Sequence, residues 1–70
     1  MNAREEEIWD ILVRDGIKRP GRFSHGPCII ALTKCVVIIG KQWIPACEAA
    51  LEASHIRFRT MGNQIVVGDQ

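Results

Sequence analysis

"GPCIIALTKCVVIIG", residues 26–40, is apolar at almost every position and is broken only by Thr33 and Lys34. How the chain covers this stretch decides the fold. Isoleucine and valine fill positions 29, 30 and 36–39, and β-branched side chains at this density favour strand over helix. The run from Cys28 to Ile39, twelve residues, is long for one strand, so the pattern predicts two, 28–32 and 35–39, meeting at Thr33-Lys34. A two-residue hairpin loop wants positive φ, which threonine resists, so a longer loop or one bent strand is the alternative.

Alternation puts Cys28, Ile30, Leu32, Val36 and Ile38 on one face and Ile29, Ala31, Cys35, Val37 and Ile39 on the other. Neither is polar. An antiparallel sheet usually keeps one wet face, so this hairpin needs cover on both sides.

The flanking segments supply part of that cover. Asn2, with Glu5 three residues on, has the form of an N-cap with a returning carboxylate, and Glu5, Glu6 and Glu7 place negative charge where the helix dipole favours it. A helix is expected over 3–15, with Ile8, Ile11 and Leu12 inward and Trp9 and Val13 widening the stripe. Gly16 suits a left-handed C-terminal residue and Pro20 prevents continuation. Pro45 opens a second helix to about Ser54, with Cys47, Ala50, Leu51 and Ser54 inward and Glu48, Glu52 and His55 outside.

"HIRFRTMGNQIVVG", residues 55–68, reads as a second hairpin around Gly62-Asn63. Ile56, Phe58, Thr60, Ile65 and Val67 share one face; Arg57, Arg59 and Val66 take the other. The fold class is therefore α+β, in the order α-β-β-α-β-β, with a four-stranded antiparallel sheet carrying both helices on one face. All 70 residues form a single domain.

Composition bounds the function. A chain of this size buries only about 60% of its unfolded surface, so association helps it. Net charge is +1, which exerts no general pull toward nucleic acid or anionic lipid. The acidic start "MNAREEEIWD" lacks the order of a signal peptide, and the twelve-residue run from Cys28 to Ile39, which carries a lysine, falls short of the roughly 20 that cross a bilayer. Three cysteines, Cys28, Cys35 and Cys47, cannot all pair within one chain, which suits a reducing compartment. A cytoplasmic protein with no membrane partner is expected.

No chemical site stands out. His25, His55 and the three cysteines include no C-x-x-C pair and match no common zinc module. The carboxylates fall mostly on helix exteriors, and there is no glycine-rich phosphate loop. No cofactor, metal or catalytic residue is assigned.

Two surfaces remain. The first is the sheet face away from the helices, with Ile38, Val66, Arg57 and Arg59 near its centre and Trp43 as an aromatic anchor or a lid on the core edge. An apolar strip rimmed by arginine has the composition of a protein interface. A non-enzymatic protein-binding module follows: an inhibitor or adaptor that docks on a larger protein or complex, of the kind phages and other mobile elements carry, or one that pairs with a second copy of itself.

The second surface is "RDGIKRPGRFSH", residues 14–25, where Arg14, Lys18, Arg19 and Arg22 outnumber one Asp15 and lead into Phe23 and His25. Cations beside an exposed aromatic can hold phosphates and stack a base. The plainer reading folds Phe23 into the core of an ordinary charged loop.

The order of a helix, "RDGI", Ser24-His25, apolar strands and "ACEAALEASHI" is similar to HicA-type toxins, small double-stranded-RNA-binding-like proteins. The resemblance covers roughly residues 5 to 56. It implies an mRNA interferase with His25 at the catalytic position and Lys18, Arg19 and Arg22 on phosphate. Phe23 stands where that family has glycine, the Val-Pro strand signature is absent, and residues 56–70 add a hairpin.

Overall fold

The computed structural model describes residues 3–68, in the order α1 (Ala3–Arg14), β1 (Cys28–Ala31), β2 (Cys35–Ile39), a 3-10 turn (Lys41–Trp43), α2 (Ile44–Ala53), β3 (Arg59–Met61) and β4 (Gln64–Gly68). The expected N-cap, Asn2, lies outside the described residues. The four strands form one sheet in the order β1-β2-β4-β3, antiparallel at every step. β2 and β3 therefore run parallel with β4 between them, so α2 is the crossover of a split β-α-β unit.

Both helices end in the same way. After α1, the Ile17 N–H donates to the Leu12 carbonyl at 2.9 Å and the Gly16 N–H to Val13 at 3.0 Å, with Gly16 at φ +91°. After α2, Ile56 donates to Leu51 at 2.9 Å and His55 to Glu52 at 3.0 Å, and His55 holds φ +58°. These are Schellman pairs, which satisfy the last carbonyls by turning one residue into the left-handed region. Glycine does this without steric cost. Histidine does not.

The hairpins differ in their turns. Gly62 has φ +63° and Asn63 does not share it, which is the type II′ pattern that suits strand twist. Thr33-Lys34 joins β1 to β2 as a two-residue connection with neither residue at positive φ, and the Leu32 N–H donates to Cys35 at 2.8 Å. The expected strands and turn are present, and threonine's resistance to positive φ is met by a different turn geometry.

That short connection corrects the assignment of faces. Leu32 and Cys35, which flank it, stand opposite one another, and cross-strand partners share a face. Ile29 pairs with Ile38 and Ala31 with Val36; Cys28 pairs with Ile39 and Ile30 with Val37. The face toward the helices is thus Ile29, Ala31, Val36 and Ile38, continued by Ile65 and Val67 of β4 and Thr60 of β3. Ile38, expected on the open face, is fully buried.

One core joins both helices to that face: Ile8, Trp9 and Leu12 of α1, Ile44, Cys47, Ala50 and Leu51 of α2, and Val36, Ile38, Ile65 and Val67 of the sheet, with Ile17 closing the α1 end. Val13, expected to widen the α1 stripe, is half exposed; the stripe centres on Ile8 and Leu12 and leaves Val13 at its outer border. Among the described residues no helix is long and apolar enough to cross a membrane.

Candidate functional site: the open sheet face

Because strand neighbours are in register, the outer face consists of rows that run across the strands, two of them across all four. The central row is Ile30, Val37, Val66 and Arg59. The row toward the α2 end is Cys28, Ile39, Gln64 and Met61. The third holds Cys35 opposite Gly68, with Leu32 beside Cys35 across the turn. With strands about 4.8 Å apart, each of the two full rows spans roughly 14 Å.

Polarity changes along the rows. Ile30, Leu32, Ile39 and Met61 are exposed, and Val37 and Val66 half-buried. Charge enters at the β3 edge, where the exposed Arg57 and Arg59 line a depression of about 250 Å³ with Phe58, Met61, Val66 and Gly68. Gly68 brings no side chain to its floor.

The opposite corner holds a larger groove, about 600 Å³, between Gly26, Cys28, Ile39 and the segment Gly40–Trp43. Gly40 has φ +151°, and a Cβ there would lie 2.8 Å from Trp43 Cδ1. Glycine is what lets the indole fold back beside the strand. Trp43 is half-buried against the core, so it closes the core edge and walls the groove at once. Nothing in residue type alone marks this groove; it depends on the 3-10 turn reversing the chain after β2.

The basic loop is ordered by backbone contacts. Ser24 Oγ donates to the Arg19 carbonyl at 3.0 Å, and the Gly21 N–H donates to Ser24 at 3.0 Å. A Cβ on Gly26 would fall 1.8 Å from the Lys18 carbonyl oxygen, so the two ends of the loop cross at a point only glycine can occupy. Arg19 is drawn back to α1: its Nη2 donates to Glu6 Oε1 at 2.7 Å and its guanidinium sits 5.1 Å from the centre of the Trp9 ring. That hydrogen bond raises the Arg19 pKa further above its ordinary value. Arg14, Lys18, Arg22 and His25 are exposed.

Phe23 is 93% exposed at the loop tip, which corrects the reading that folds it into the core. Loop closure at Ser24 and Gly26 turns residues 22 and 23 outward. The Ser24 hydroxyl is committed to Arg19, so it makes no pair with His25. Among the described residues no three His, Cys, Asp or Glu side chains converge where they could hold a metal ion.

Compared with known proteins, the chain matches no family model, no curated protein and no solved structure.

Proposed function

We propose that the chain is a small non-enzymatic protein-binding module, an inhibitor or adaptor, that docks its open sheet face on a larger protein. The observation that carries this is the central row: three apolar side chains from three strands, on the face that no helix covers, ending on Arg59 with Arg57 beside it. Apolar area flanked by arginine is the composition of an interface core, and arginine's planar fork suits carboxylates. The partner's matching surface is therefore apolar at its centre and acidic on one side. A standard interface takes about 800 Å² from each partner, close to a sixth of the 4925 Å² total. The rows alone are too small for that, so the contact extends to the groove beside Trp43.

Arg57→Glu with Arg59→Glu tests this. Both residues are exposed, so circular dichroism of the double variant should match the wild type while capture of the partner from lysate is lost. Capture that survives the charge reversal would exclude this face.

A second reading has its own observation. Phe23 at the tip of a closed loop, with Lys18 and Arg22 exposed nearby, has the form of a stacking and phosphate-binding element. RNA binding there would weaken steeply with added salt and fall in Phe23→Ala. An interferase of the HicA type would in addition lose RNA cleavage in His25→Ala.

A further inference from the structure

The two edges of the sheet are built differently. β3 is three residues long and carries Arg59, with Arg57 just before it. Short length and cationic side chains are the usual protection of a strand edge. β1, four residues long, lacks the charge: from Gly26 to Thr33 there is no charged residue.

The backbone of β1 shows which groups are open. The Leu32 N–H points to β2, where it donates to Cys35. In an antiparallel ladder the bonded residues alternate, so Ile30 and Cys28 also face β2, and the N–H and C=O of Ile29 and Ala31 face outward. Among the described residues no backbone hydrogen bond satisfies either of them. Both are half-buried as residues, and unpaired backbone groups favour a partner.

We infer that two copies of this chain pair antiparallel through β1, about a two-fold axis at Ile30, to make one eight-stranded sheet. The register follows from the faces. A pairing of Ile29 with Ile30 of the second copy would turn that copy's core face outward. A pairing of Ile30 with itself sets Ile29 against Ala31 and Cys28 against Leu32, which keeps both cores on the same side. The same register brings the outward amides of Ile29 and Ala31 onto their counterparts, giving four hydrogen bonds across the axis. Two-fold pairing brings like residues together, and an uncharged segment meets itself without repulsion. At β3 the same operation would bring arginine toward arginine.

This dimer leaves the outer face free and joins the two copies' apolar rows into one surface with the arginines at its far ends. It stands whether or not that face binds a partner.

The mass of the wild type in light scattering behind gel filtration, across micromolar concentrations, is the first readout, and a dimer is expected. Ala31→Pro removes only an outward-facing N–H, which an edge strand tolerates, and should give a folded monomer. Ile30→Cys, with Cys28→Ser and Cys35→Ser, should cross-link across the axis under mild oxidation, because directly opposed non-hydrogen-bonded residues lie within disulfide reach. Val66→Cys in the same background should not, since it lies five strand spacings, about 24 Å, from its counterpart. A monomeric wild type, a folded Ala31→Pro dimer, or cross-linking at Val66 in place of Ile30 would each overturn the pairing. Should Ala31→Pro fail to fold, the cross-linking pair decides alone.

Discussion

Val66 stands directly opposite Val37 across the central pair of strands, on the face that neither helix covers. Its neighbours in sequence, Ile65 and Val67, are fully buried on the other side. Adjacent residues of one apolar run therefore have opposite fates, and substitution separates them.

Ile38→Ala should cost about 2–5 kcal/mol, a cavity term in a closed core, which is a large share of the stability of a domain this small. Val37→Thr, beside it but on the open face, should stay within about 1 kcal/mol of wild type. Urea unfolding followed by circular dichroism measures both; equal losses would mean that the two faces are not distinct.

His55→Gly should stabilise the protein by about 1 kcal/mol, because glycine accepts the φ of +58° that histidine holds at the end of α2. For a domain of this length that is a rise of roughly 4–8 °C in Tm. Gly16→Ala, the same exchange in reverse at the end of α1, should lower Tm by a similar amount. Thermal scans of the two variants give opposite signs if the caps are as described.

Gly26→Ala should disrupt the basic loop, since its methyl would overlap the Lys18 carbonyl. The expected signature is local: faster amide exchange and proteolysis within residues 18–26, with the sheet still protected. Unchanged exchange there would show that the crossing is not tight.

The three thiols should react in order of exposure, Cys28 first, Cys35 more slowly and Cys47 only on unfolding. Burial pushes the Cys47 thiol up to about 11 from its ordinary value of 9.0, so at mildly alkaline pH it is neutral as well as shielded. Its folded pKa is the higher one, so the stability gained by keeping the proton is complete below about pH 9 and is lost as pH rises toward 11. A drop in Tm across that window, absent in Cys47→Ala, is the expected result, read together with thiol counts taken before and after denaturant.

Much of the fold was legible in the sequence because each element carries its own physical mark. Pro45 lies in the first turn of α2, Gly62-Asn63 forms the β3-β4 turn, and the β-branched run forms two strands as expected. The face assignment of Ile38 failed for one reason: its alternation runs through Thr33-Lys34 as it would in one continuous strand, whereas a two-residue turn sets Leu32 and Cys35 on the same face and shifts the parity of β2 by one. A single residue more in that loop would have reversed the result.

The candidate site was legible in part. Arg57, Arg59 and Val66 lie on the open face as their alternation implied, with Arg59 directly paired to Val66. Phe23 could not be placed from pattern, because its exposure depends on Ser24 and Gly26 closing the loop beneath it. Arg19 belongs to α1 through Glu6, 13 positions away, a pairing outside any local spacing rule.

The strand order has a consequence for how the chain is made. Of the four strands of this sheet β4 comes last in the sequence, yet it occupies the middle, between β2 and β3. Until residues 64–68 have left the ribosome, the β1-β2 hairpin has no neighbour on its inner edge. Nascent chains with such edges are vulnerable to association, and the contacts that close the sheet are long-range ones that form slowly. The sheet should therefore fold as a unit once β4 has emerged, and pausing of translation upstream of residue 64 should leave it dependent on chaperones.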